Sequence, residues 1–127
     1  MKRKEKELLL RDLCSRMLYN VKMTDNKGYV YSPKCSLPNL ETLIDRGDLP
    51  YLRSMDSMTE KEEKEYQAKQ SIILFEKGIP GERAPRTVRA DTLESYDWLI
   101  EHHFDYRGLI NKGLAIEAKE GIYAVEK

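Results

Sequence analysis

The sequence predicts a small α+β domain: an N-terminal helix, one or more short β-hairpins, and a C-terminal helical pair followed by a short strand or hairpin. Three observations lead there. At 127 residues the chain has the usual size of one domain, so residues 1–127 are read as a single domain. Charged residues make up 35% and apolar ones 40%, enough for a solvated surface around a core that needs no staples. Helical spacings and short β-favouring runs occur in turn along the chain, without an internal repeat or low-complexity tract.

The first helix is expected over about residues 3–18. Leu8, Leu9, Asp12, Leu13 and Arg16 carry the pattern. Leu9, Leu13 and Met17 recur every four residues, Leu10 and Cys14 lie beside them, and Lys and Glu fill the opposite face. Residues 21–24 and 29–31 favour strand and bracket Asp25-Asn26-Lys27-Gly28, an Asx-rich connection suited to a hairpin. Pro33 and Pro38 punctuate a loop. Asn39 is placed to cap a short helical turn through Leu40, Leu43 and Ile44, stopped by Gly47. Leu49-Pro50-Tyr51-Leu52-Arg53 reads as extended, because a residue before proline is pushed out of the helical region.

Thr59-x-x-Glu62 is a capping box, so a helix is expected from residue 60 to about 70, with Tyr66 and Ala68 as its sparse apolar face. Ile72-Ile73-Leu74-Phe75 suits either a buried strand or the last turns of that helix; periodicity does not separate the two, and a strand is preferred. Residues 78–91, with Pro80, Gly81 and Pro85, read as the clearest loop. Asp91 or Thr92 caps a helix of about 93–103, with Leu93, Tyr96, Leu99 and Ile100 on one face and Trp98 at its edge. Asp105 caps a second helix, 106–112, ended by Gly113. Trp98, Leu99 and Leu109 are expected in the core where these two helices pack. Residues 114–118 and 122–125, with Gly121 between them, suit a terminal hairpin.

Glu94-Ser95-Tyr96-Asp97-Trp98-Leu99, His102-His103-Phe104-Asp105-Tyr106-Arg107-Gly108-Leu109-Ile110 and Gly113-Leu114-Ala115 resemble a family of small uncharacterised proteins encoded by prophages and mobile elements of gut anaerobes. Pro50-Tyr51-Leu52-Arg53-Ser54-Met55 and Ser57-Met58-Thr59-Glu60 are similar to the same family. The likeness covers about the C-terminal half and the opening helix. The middle of the N-terminal half departs from the pattern, which there has a longer β-rich insertion. The resemblance implies a genomic setting and no chemistry.

Composition narrows the function classes. No run approaches the roughly 18 apolar residues of a membrane helix. Only three apolar residues follow the basic start before Arg11, too few for an export signal, so a cytoplasmic location is expected, with Cys14 and Cys35 as reduced thiols. The helix pattern places Cys14 on an apolar face, which favours burial and inertness, whereas Cys35 lies in a loop with no base implied. His102-His103-x-Asp105 has ligand chemistry, yet adjacent helical residues point about 100° apart and share one ion poorly; a helix end is the simpler role, and neither metal nor cofactor is expected. Gly78-x-x-Gly81 is too short for a phosphate loop. No catalytic residue is named.

Net charge is zero, but residues 1–54 hold 11 Lys/Arg against 7 Asp/Glu, and residues 92–127 hold 4 against 7. Two basic features are candidate contact sites. Lys2, Arg3, Lys4 and Lys6 form a basic arm that suits nucleic acid. Arg83, Arg86 and Arg89 recur every third residue; in an extended polyproline II path they line one edge, roughly 9 Å apart, as a clamp for carboxylates or phosphates. A pI near 6.7 argues against a strongly nucleic-acid-binding surface. The expected function is a non-enzymatic accessory protein of a phage or mobile element acting through protein contacts. A small DNA- or RNA-binding accessory protein and a metal- or Cys-dependent hydrolase are the alternatives.

Overall fold

Leu9, Asp12, Leu13 and Arg16 form one buried stripe, and α1 (Arg3–Arg16) lies on the core through it. The computed structural model describes residues 2–33, 37–75, 86–119 and 121–123. Cys14 is exposed, not buried as expected. It follows Leu13 by one residue, about 100° around the helix, and the stripe leaves it on the solvent side.

The expected hairpin is present. β1 (Met23–Thr24) pairs antiparallel with β2 (Val30–Tyr31), Met23 opposite Tyr31. The Asp25 carboxylate closes the connection by accepting the N–H groups of Lys27 and Tyr29, both at 2.9 Å. β3 (Leu49–Leu52) adds antiparallel to β1. β6 (Ile116–Glu117) adds parallel to β3, giving the sheet order β2-β1-β3-β6. No strand pairs with β6 as a terminal hairpin among the described residues; positions 124 and 125 lie outside them. Instead Tyr123 fastens the tail: its hydroxyl donates to the Tyr51 carbonyl and accepts the Lys22 N–H, both at 2.7 Å.

α2 (Leu37–Arg46) begins two residues before the expected cap at Asn39, because Pro38 falls in the first turn, where a missing N–H costs nothing. Asp48, fully buried just after it, is held by Arg46 and the Tyr31 hydroxyl. Leu9, Leu13, Val21, Met23, Leu40, Ile44, Leu52, Leu109 and Leu114 make the main core between α1, α2 and the sheet.

The capping box at Thr59 is as expected and opens α3 (Glu60–Lys69). Strand, not helix, follows: β4 (Ser71–Phe75) pairs antiparallel with β5 (Arg86–Ala90), Ser71 opposite Ala90 and Phe75 opposite Arg86. The expected loop therefore ends before residue 86, and β4 is not a buried strand at Ile72, which is 63% exposed. α4 (Leu93–Glu101) is capped by Thr92 in a reciprocal box with Ser95. Trp98, Leu99 and Phe104 form a second core, and Leu109 is buried in the first. Residues 106–112 are turns, not a second helix. Gly108 has φ +72, which breaks a right-handed helix at its middle, so the Asp105 carboxylate caps only the turn beyond it, through the N–H groups of Leu109 at 2.8 Å and Ile110 at 2.9 Å. The fold class is α+β, as expected, with the helical pair reduced to α4 and a turn.

Candidate functional site

α4 carries apolar residues on two sides; the inner side is buried, and on the other Ile100 is buried while Leu93 and Tyr96 meet solvent. At about 100° per residue, Ser95, Trp98 and Leu99 share the inner side, while Leu93, Tyr96, Asp97 and Ile100 fall on the outer one. The four residues expected on one face, Leu93, Tyr96, Leu99 and Ile100, are divided by burial: Leu99 and Ile100 are buried and the other two are not. Leu93 is 85% exposed and Tyr96 40% exposed, whereas Leu99 is fully buried.

The outer side of α4 forms one wall of a groove of about 630 Å³. Tyr66 of α3 contributes, stacked on Trp98 with ring centres 5.7 Å apart. Tyr106 closes the far side, its ring centre 5.3 Å from that of Tyr96. Met55 comes from the short 3-10 turn Met55–Ser57. The two helices are held in place at their junction, where the Thr92 hydroxyl donates to the Lys69 carbonyl at 2.7 Å. Behind them Arg53 makes a bidentate pair with Glu62, 2.6 Å on each arm, and lies over the Phe104 ring at 4.2 Å.

Two carboxylates belong to the groove. Asp91 accepts hydrogen bonds from Tyr66, from Gln70 at 3.1 Å and from Ser95 at 3.0 Å, all on Oδ1, so Oδ2 takes none of them. Burial alone would raise this carboxyl; the three donors outweigh it and hold Asp91 below the usual range. Burial and the Asp91 carboxylate together push the Tyr66 hydroxyl upward, so it stays protonated as a donor. Asp97 forms no ion pair or hydrogen bond among the described residues. Among the described residues the one cation on the wall, Arg107, turns to buried Asp12 at 3.1 Å and lies over the Tyr106 ring at 4.9 Å.

A second cavity, about 350 Å³, adjoins His102, His103, Asn20, Lys22 and Tyr123. The His102 ring meets the Trp98 carbonyl through Nδ1 at 2.8 Å and stacks on Trp98, the helix-ending role expected for it. His103 has φ +66 and stacks on Tyr123 at 3.8 Å, with Nδ1 buried and unpartnered among the described residues. Burial, reinforced by Arg16, His102, Arg53 and Lys22, lowers its pKa to about 4. The two histidines are engaged separately, and no group of three or more His, Cys, Asp or Glu is placed to hold a metal among the described residues.

The basic candidates are dispersed. Arg83 lies outside the described residues, as does Cys35. Positions 86 and 89 lie on β5, a two-residue repeat, so the three-residue repeat behind the arginine clamp does not apply there. Arg89 donates to the Gln67 carbonyl at 3.2 Å. In the basic arm, Lys2 is the residue before α1 and Lys4 is exposed, while Arg3 pairs with Glu7 and Lys6 with Asp45. No helix among the described residues is long and apolar enough to cross a membrane. No protein-family model, curated protein or solved structure matches the chain.

Proposed function

We propose that the chain is a non-enzymatic accessory protein of a phage or mobile element, working in the cytoplasm by binding another protein through the outer side of α4. The resemblance of residues 94–115 to prophage-encoded proteins supports the genomic setting. One observation carries the binding role: Leu93 and Tyr96 face solvent beside a groove already lined by Met55, Tyr66 and Tyr106. Fully burying a leucine is worth roughly 1.5–3 kcal/mol, so an exposed one in an apolar groove is a ready contact. The nucleic-acid alternative draws less support, since Arg3 and Lys6 are paired within the fold and the net charge is zero.

Crosslinking in the native host, read by mass spectrometry, tests the reading. A partner should crosslink near α3 and α4 and be lost with Leu93→Asp. That variant should fold normally, because residue 93 is exposed and an acid in the first helical turn suits the helix dipole. A partner retained at full yield by both Leu93→Asp and Tyr96→Asp would sink it.

A further inference from the structure

The groove has a chemical preference beyond apolar contact. Three tyrosine rings, those of Tyr66, Tyr96 and Tyr106, face a shared space whose rim holds two acceptors, Asp91 Oδ2 and Asp97, which is unpaired among the described residues. Aromatic faces with carboxylates at the edge attract cations, because the ring quadrupole is negative on its face and the carboxylates add their charge. The chain already uses this chemistry nearby, with the Arg107 guanidinium over Tyr106. The charge on the helix that forms the wall points the same way. α4 carries Glu94, Asp97 and Glu101 and no basic residue. Of the acids on α4, Glu94 is offset by Lys69 at 2.9 Å and Glu101 borders the other cavity, which leaves Asp97 at this groove.

We infer that the groove receives a lysine or arginine side chain of the partner, its ammonium or guanidinium between the tyrosine rings and Asp97, with flanking apolar residues of the partner on Leu93 and Met55. This rests on the reading of the groove as a protein-contact face and specifies what that face recognises. Asp97 gives the charge, the rings give the cation its faces, and Asp91 fixes Tyr66 through the hydroxyl.

Capped pentapeptides Ala-Leu-X-Leu-Ala, with X as lysine, arginine or norleucine, provide the test, followed by NMR of the tyrosine ring resonances. The lysine and arginine peptides should give saturable shifts at Tyr66, Tyr96 and Tyr106. Norleucine, which keeps the stem and drops the charge, should bind at least about tenfold more weakly. Asp97→Asn should weaken the charged peptides about fivefold or more and abolish most of their salt dependence, and Tyr96→Leu should weaken them while leaving the salt dependence and the fold in place. Equal binding of norleucine and lysine overturns the inference while leaving the groove as an apolar contact face. So does an absence of saturable shifts with either charged peptide. Retention of the native partner by Leu93→Asp is a different failure, that of the contact reading itself.

Discussion

His103 is held neutral by its surroundings, and the consequence is a pH dependence with a definite sign. Burial first, then the positive charge of Arg16, His102, Arg53 and Lys22, lowers its pKa from 6.5 to about 4. Between those values the unfolded chain binds a proton that the folded chain refuses. Stability is therefore full above about pH 6.5 and falls as pH drops toward 4, by at most about 1.4 kcal/mol per pH unit for one proton. The depressed carboxyls, Asp48 beside Arg46, Asp91 and Glu62, lose their contributions only below the ordinary carboxylate range, so the histidine window lies above theirs. His103→Asn tolerates the left-handed backbone and does not titrate. Urea midpoints from pH 7 to 4.5 should fall for the wild type and stay nearly level for the variant; parallel curves would show that another group governs the window. A second residue-scale expectation concerns Asp12 and Arg16, both fully buried, joined at 2.8 Å, with Arg16 also donating to the Phe104 carbonyl at 2.6 Å. Asp12→Ala strands a buried guanidinium and should cost about 3–5 kcal/mol, whereas Asp12→Leu with Arg16→Met should cost much less. Chemical denaturation of both variants separates a needed pair from a merely tolerated one.

The elements that were legible in the sequence are those whose cause is local. Thr59 and Glu62 lie three residues apart, and the box between them forms because both partners are in one turn. The same holds for Asp25 in the β1–β2 connection. What misled was either a long-range partner or a single backbone angle. Thr87-Val88 is too short a β-favouring pair to mark a strand between arginines, and residues 86–90 form β5 where β4 lies opposite. Residues 106–112 have helical spacing, yet Gly108 at φ +72 divides them. The groove was missed for a related reason: periodicity says that Leu93, Tyr96, Leu99 and Ile100 are apolar, not which side of α4 another element covers. A helix of nine residues with apolar groups on opposite sides was the available signal. At this scale the junction of α3 and α4 is the testable part. Thr92 both caps α4 and donates to Lys69, so Thr92→Ala should cost about 1–2 kcal/mol, at the upper end for a lost cap. Thr92→Ser keeps both bonds and should recover most of it. Equal losses in the two variants would mean that the methyl group, not the hydroxyl, matters.

The described residues hold two cores, and the question is whether they melt as one. Leu9, Leu13, Met23 and Leu52 belong to the first; Trp98, Leu99 and Phe104 belong to the second. Polar and backbone contacts join them. Arg53 N–H donates to the His103 carbonyl and Asp105 N–H to the Arg53 carbonyl, both at 2.8 Å, so the residue after β3 forms a parallel bridge with the segment after α4. Arg16, from the first core, holds the Phe104 carbonyl of the second. These links run through buried groups that neither half could leave unsatisfied, which favours one cooperative transition. Trp98 is the only tryptophan, so its fluorescence reports the second core alone, while far-UV circular dichroism reports both. The two probes should give coincident urea transitions. Leu13→Ala lies wholly in the first core and should cost about 2–5 kcal/mol. If the cores are one unit, that loss must appear in full in the Trp98 fluorescence midpoint, and Leu99→Ala must shift both probes by the same amount as each other. A fluorescence transition that ignores Leu13→Ala would divide the chain into two independently folding parts, with the groove belonging to the second.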